Sequence, residues 1–286
     1  MTRIVQSLAE VGGAYEALLV DLWGCYHDGI APWPAAMAAL RDYRARGGIV
    51  ILLTNAPRPA YSVKRFLERI GAAEDSYDGI MSSGAACRRA IRRGEYGQRF
   101  HYVGPPRDLH MLTDLGLDDL PLEQAGAILC TGLVDDMTET PADYAGQIAE
   151  WRAHGLTLLC ANPDLVVDRG ERRLFCAGSI ARAYERAGGA VVWFGKPHAP
   201  TYDQSFDLLA EIAGRDIPRD KVLAIGDGIG TDVKGGLDYG LDVMFVSGGL
   251  AAAETGGDPE HPDPARLEAY LAAHGVAPQF AIGRLR

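Results

Sequence analysis

Three apolar runs in this chain close on a polar side chain and then break into a loop, and that recurrence restricts the fold more than any other feature. They are ALLVD (17–21), IVILLTN (49–55) and KVLAIGD (221–227). Each has the length of a strand and no apolar–polar alternation, the pattern of a strand covered on both faces. Helix-period segments follow the first two. PAAMAALRDYRARGG (34–48) has Pro34 in its first turn and Gly47 closing it, and RPAYSVKRFLERIG (58–71) is the next. This alternation predicts parallel strands joined by helical crossovers, an α/β fold.

A third short strand is expected at GIMSSG (79–84). A fresh set of elements then occupies about 85–190: RFHYVG, GAILCTGL, a helix over PADYAGQIAEWRAHG, LTLLCANPD, and a helix over CAGSIARAYERAG (176–188). The small residues of that last helix suit packing rather than chemistry. After it come AVVWFGKP (190–197), a helix from Pro200 to Ala213, KVLAIGD and DVMFVSGG (242–249), which resemble the opening strands. The expectation is a doubly wound parallel-sheet core, residues 1–84 with 191–286, and a smaller α/β domain inserted at 85–190. A chain of 286 residues suits two such domains. No internal repeat is evident, and AAAETGGDPEHPDPAR (251–266) reads as an exposed loop before a last short helix.

Composition excludes several classes of function. The net charge is −10 with no block of like charges, which disfavours nucleic acid or an anionic membrane as partner. The basic cluster CRRAIRRGE (87–95) fits the solvated face of a helix. Five cysteines are odd in number and scattered without a C-x-x-C, so neither a zinc framework nor a disulfide scaffold is suggested. Three of them lie in or near apolar runs, as buried thiols do. No apolar run approaches the ~20 residues of a membrane span, and the first residues lack a signal-peptide pattern. The expectation is a soluble, cytoplasmic protein.

Four strand ends carry reactive side chains, where open parallel sheets place their ligands. They are Asp21, Thr54 with Asn55, Lys196 just past VVWFG, and Asp227. A single polar strand end is often turn chemistry; four of complementary chemistry suggest a site. Two acids suit Mg²⁺, which keeps waters for a phosphate. One of them, placed in line, can attack phosphorus, while a hydroxyl and a lysine neutralise the transferring oxygens. GDGIGTD also resembles a dinucleotide-binding glycine loop, but Asp227 in a phosphate cradle would repel a pyrophosphate, and such a loop belongs after the first strand.

The pieces DLWGC (21–25), TN (54–55), GKPHAPTYD (195–203) and GDGIGTDVKGG (226–236) resemble, in content and order, the motifs of the haloacid dehalogenase (HAD) superfamily of phosphohydrolases. The insert with ANPD (161–164) resembles the class IIA, NagD-like subgroup with its α/β cap. The resemblance implies Asp21 as the nucleophile that forms an aspartyl-phosphate and as a metal ligand. It gives residue 23 a backbone carbonyl on Mg²⁺, Asp227 a ligand role, and Asp232 the same role directly or through water. Thr54 would hydrogen-bond the phosphoryl oxygens, Asn55 line the same pocket, and Lys196 balance the charge of Asp21 and phosphate. Asn162 and Asp164 would help choose the substrate, a small phosphorylated metabolite. Cap-to-cap pairing into a homodimer is in keeping with this subgroup.

The motif departs from its pattern at Trp23, where the family usually has a second Asp as general acid and base. An indole N–H does neither at neutral pH. Three readings stand. The leaving group needs little protonation, as in an acyl or aryl phosphate; another group substitutes, with His27, Asp28 and His198 near in sequence; or the fold binds a phosphorylated ligand without turning it over. Trp23, before Gly24, reads as lining the site mouth, with a core position as the alternative. His27 reads as part of a YHDG turn or as a site residue. The ANPD segment reads equally as an Asn-Pro turn capped by Asp164.

Overall fold

The computed structural model describes residues 2–169 and 172–286. Its strands are β1 (Arg3–Ile4), β2 (Ala17–Asp21), β3 (Ile49–Thr54), β4 (Gly79–Ser82), β5 (Phe100–Val103), β6 (Ala127–Cys130), β7 (Thr157–Cys160), β8 (Val166–Arg169), β9 (Arg172–Phe175), β10 (Ala190–Trp193), β11 (Val222–Gly226), β12 (Asp242–Val246) and β13 (Phe280–Ile282). The helices are α1 (Pro34–Ala45), α2 (Ala60–Arg69), α3 (Ser83–Arg92), α4 (His110–Thr113), α5 (Ala145–Ala153), α6 (Ala177–Arg186), α7 (Ala199–Ala213), α8 (Lys234–Asp238) and α9 (Pro264–Ala273). They form two compact units. One comprises the chain up to Thr54, Val63–Met81 and Tyr202–Arg286, and the other Asn55–Ser62 with Ser82–Thr201.

The first unit is built on a seven-stranded sheet in the order β1-β13-β12-β11-β2-β3-β4. The pairs β1–β13, β13–β12, β12–β11, β11–β2 and β2–β3 are all parallel. Leu18, Leu19, Val20, Val50, Ile51, Leu52, Leu223 and Ile225 are almost wholly buried, which is why the central strands carry no polar alternation. Each such side chain contributes roughly 1.5–3 kcal/mol by leaving water. The chain runs outward from β2 to β3 and β4 on one side, and returns as β11, β12 and β13 on the other.

The second unit has a four-stranded parallel sheet, β10-β7-β6-β5, and the antiparallel pair β8–β9. Its core packs Ile128, Leu158, Trp151, Ile180 and Tyr184, with the Tyr184 hydroxyl donating to Leu156 O at 2.6 Å. The α/β class and the parallel sheets follow the sequence reading.

Several expectations need correction. Residues 191–197 read as part of the core, but β10 pairs along its whole length with β7, Ala190 opposite Thr157 through Trp193 opposite Cys160. Strands β1, β13, β8 and β9 were not foreseen, being too short or too polar to stand out. The basic cluster is not one solvated face: Arg92 and Arg93 are exposed, whereas Arg88 is buried and reaches Asp114 and His110 O, both at 3.3 Å. The segment 251–266 is not simply exposed. Ala251 and Thr255 are buried, and the Thr255 hydroxyl donates to Ala251 O at 2.8 Å, closing a turn against the end of β12. The helix expected over 141–155 starts as a 3₁₀ turn, Pro141–Tyr144, before α5. All five cysteines are buried and none is in a disulfide, including Cys25, which lies in a loop.

Candidate active site

The carboxyl edge of the large sheet gathers acids because of register. Strands β2 and β11 are neighbours with Val20 opposite Ile225, so Asp21 ends one strand and Asp227 follows the end of the other. On the far side of β2, Asp21 is opposite Leu53, and half-buried Thr54 comes next. The order of strands reverses between β2 and β11, the position at which an open α/β sheet leaves a crevice for ligand.

Asp21 and Asp227 are both buried, and one oxygen of each lies with the Cys25 sulfur in a group whose members are all within 4.8 Å of one another. Two buried carboxylates this close repel unless a cation accompanies them. Glycine makes the approach possible. Gly24 has φ +85°, and a Cβ there would overlap Asp227 Oδ2; a Cβ at Gly249 would overlap the same carboxylate. Asp227 Oδ2 also accepts the Leu250 N–H at 3.0 Å, which fixes its rotamer. The hard carboxylate oxygens suit Mg²⁺.

Asp232 sits apart from that close group. Its Oδ2 accepts Gly228 N–H at 3.2 Å and the Thr231 hydroxyl at 3.0 Å, so it shapes the turn that follows Asp227. Gly226 is required beside it, because a Cβ there would overlap the Asp232 side chain. Cys25 was missed as a site residue. Its only signal was the four-residue offset from Asp21, which the tight turn at Gly24 converts into proximity.

Trp23 is 58 % exposed, so the core alternative fails. Its indole lies over Gly29, where a Cβ would overlap the ring, and meets the His27 ring edge-on with centroids 5.7 Å apart. His27 is buried and packs edge-on to Phe66 at 5.5 Å. Its Nδ1 accepts the Gly29 N–H at 2.9 Å, which places the proton of the neutral ring on Nε2. Burial pushes its pKa down to about 4, so this imidazole is neutral at pH 7 and a poor proton donor. Asp28 accepts the N–H groups of Ala31 and Ile30, each at 2.8 Å, and these bonds hold its carboxyl below the usual range. The YHDG segment is therefore a turn built by both side chains.

In the second unit the ends of β7 and β10 are neighbours, and ANPD and GK extend from them. Asn162 Oδ1 accepts the Asp164 N–H at 3.1 Å, so Asn162, not Asp164, caps the turn. Helix α6 packs on this turn: a Cβ at Gly178 would overlap Pro163 O. Asn55 donates from Nδ2 to Asp164 Oδ1 at 2.9 Å and to Lys196 O at 3.1 Å, and accepts the Lys196 N–H at 2.8 Å. Lys196 is 3 % exposed, and a buried ammonium is costly without an anionic partner. His198 stacks on Trp193 at 5.3 Å, and burial lowers its pKa.

Comparison with known proteins bears on the family and the fold. The family described as haloacid dehalogenase-like hydrolase matches residues 18–118, and a HAD-hydrolase-like family matches 193–272. A haloacid dehalogenase-like hydrolase from Brucella suis 1330 is similar along 99% of this chain and 100% of its own, with 35% identity and a TM-score of 0.81. This chain belongs to that family and is a hydrolase. The D-glycerol 3-phosphate phosphatase of Mycobacterium tuberculosis is 26% identical over 266 residues, 92% of this chain and 71% of the relative. NagD from E. coli K-12 shares the fold, with a TM-score of 0.69 at 20% identity over 94% of this chain and 96% of its own.

Two outcomes follow. Gly24→Ala forces a left-handed alanine, a strain of about 1–3 kcal/mol, and displaces Asp227. Calorimetric titration should show at least tenfold weaker divalent-cation binding, and an unchanged affinity would mean that Asp227 is not held by this approach. His27→Gln addresses pH. Because the folded pKa is depressed, stability is complete above about pH 6.5 and is lost as pH falls towards about 4, by about 3 kcal/mol. Urea unfolding at pH 7 and pH 4 should show that loss reduced in the variant; an equal loss would remove His27 as its source.

Proposed function

We propose that this hydrolase is a Mg²⁺-dependent phosphatase of small phosphorylated metabolites, working through an aspartyl-phosphate on Asp21. The observation that carries the reading is the buried pair Asp21–Asp227 at the reversal of strand order, with its oxygens within 4.8 Å of the same sulfur. Asp21 and Asp227 would hold the ion, with the Trp23 carbonyl, and Asp232 directly or through water. When bound, Mg²⁺ supplies neutralisation of phosphoryl charge. The Asp21 carboxylate attacks phosphorus, the bond to the leaving oxygen breaks, and water later cleaves the acyl phosphate. Thr54 donates its hydroxyl to a phosphoryl oxygen, and the Lys196 ammonium balances the charge. The relative that acts on D-glycerol 3-phosphate supports a polyol or sugar phosphate as substrate. Asn162 and Asp164 belong to the substrate-selecting loop of this reading.

Trp23, His27 and Asp28 do not supply the missing acid. The Trp23 indole does not titrate at neutral pH, His27 is neutral, and Asp28 is held ionised. General acid–base catalysis is worth about 10²–10⁴-fold, so the reading favours phosphates whose leaving oxygen departs without a proton. The second reading, a protein that binds a phosphorylated ligand with little turnover, rests on the same Trp23. No helix among the described residues is long and apolar enough to cross a membrane, and a cytoplasmic location belongs to the proposal.

A panel of alkyl, aryl and acyl phosphates, assayed with and without Mg²⁺, decides between the readings. Mg²⁺-dependent hydrolysis is expected, fastest on the activated compounds. Background rates throughout, with a phosphorylated ligand raising the melting temperature, would favour the binding protein. Trp23→Asp should accelerate alkyl phosphates more than aryl phosphates. Equal or slower rates would show that position 23 does not stand where an acid acts.

A further inference from the structure

We infer that Asn55 is a positioning residue that fixes the main chain of Lys196, that Asp164 holds it in place, and that Asn55 does not itself contact the phosphoryl group. The inference rests on the reading of Lys196 as a phosphoryl-binding residue and changes the part given to its neighbour. A side-chain amide has two N–H donors and one carbonyl acceptor. Both donors of Asn55 are engaged, one by Asp164 Oδ1 at 2.9 Å and one by Lys196 O at 3.1 Å. Phosphoryl oxygens accept hydrogen bonds, so Asn55 has no donor left for them.

The amide also has one workable orientation. Turned over, its NH₂ would face the Lys196 N–H, and its oxygen would face the Asp164 carboxylate and the Lys196 carbonyl. As it stands, Oδ1 accepts the Lys196 N–H at 2.8 Å while Nδ2 serves the carbonyl of the same residue. Asn55 therefore brackets Lys196 from both sides of its Cα, as a neighbouring strand would. The bond to Asp164 is charge-assisted and the strongest of the three in kind.

Local packing keeps the bracket narrow. Trp193 is paired with Cys160, so β10 and β7 deliver Lys196 and Asp164 from adjacent strand ends. Gly195, at φ +111°, has Pro163 against it: a Cβ there would overlap the Pro163 ring and crowd Asn55 Oδ1. The Gly195 N–H donates to the Thr201 hydroxyl, and the Phe194 N–H to Cys160 O at 2.9 Å. The main chain that aims a buried lysine is thus held at three consecutive residues, and at Lys196 the holding group is a side chain. A displacement of about 1 Å in such a group can cost 10²-fold in rate.

The test is a swap between Asn55 and Asp164. Asn55→Asp places two carboxylates together and sets an oxygen against Lys196 O; adding Asp164→Asn restores a donor–acceptor pair between the side chains. Two readouts are taken: amide hydrogen exchange at Lys196, and kcat and KM on 4-nitrophenyl phosphate with Mg²⁺. Exchange at Lys196 should quicken at least tenfold in Asn55→Ala and Asn55→Asp, and slow again in the double variant. In parallel, kcat should fall about 10²-fold in Asn55→Asp and recover at least tenfold in the double variant. Unchanged exchange in Asn55→Ala would overturn the inference. So would a rise in KM in Asn55→Asp that Asp164→Asn leaves uncorrected, because an acid touching phosphate repels it whatever occupies residue 164. Wild-type protein with no turnover would refute the phosphatase reading alone, and the exchange data would still decide the role of Asn55.

Discussion

Everything in the large sheet is arranged around the closeness of two buried carboxylates. Asp21 and Asp227 arrive at the same edge because β2 and β11 are parallel neighbours in matching register. They can stay there because Gly24 and Gly249 leave no Cβ to push Asp227 away. Like charges brought together in a buried place repel, and a cation is the simplest group that relieves them. The apolar strands beneath, free of polar alternation, supply the rigid floor on which that repulsion is held.

Much of this was legible in the sequence, and the reason is physical. A strand buried on both faces has no polar residues to spare, so a terminal Asp or Thr stands out, as in ALLVD and IVILLTN. The reason for the glycines of GDGIGTD comes from the structure: Gly226 and Gly228 lie against Asp232 and Thr231. What sequence could not give was contact across loops. Cys25 joins the acid pair only because the chain turns tightly at Gly24. The resemblance implied that Asn55 lines the phosphate pocket, and sequence held no sign that its amide bonds to Lys196 and Asp164. Strand β10 read as part of the core because AVVWFGKP resembles the other apolar runs, and only its pairing with β7 assigns it to the smaller sheet.

Trp23 gives the site its individual character. It is exposed at the mouth of the first loop, propped over Gly29 and edge-on to His27. The neighbouring histidine does not act in place of the missing acid, because its burial keeps it neutral and its Nδ1 is occupied by the Gly29 N–H. Under the proposed mechanism, with Trp23 in place of an acid, an acyl phosphate on Asp21 would form readily from activated substrates and hydrolyse slowly. The intermediate should therefore accumulate.

That accumulation provides the most direct measurement. The protein is mixed with 4-nitrophenyl phosphate and Mg²⁺, quenched in acid within the first turnovers, digested, and its peptides weighed. The account predicts one added phosphoryl group on the peptide that contains Asp21, and none in the Asp21→Asn variant. Turnover without that modification, or a phosphoryl group on any other residue, would contradict it.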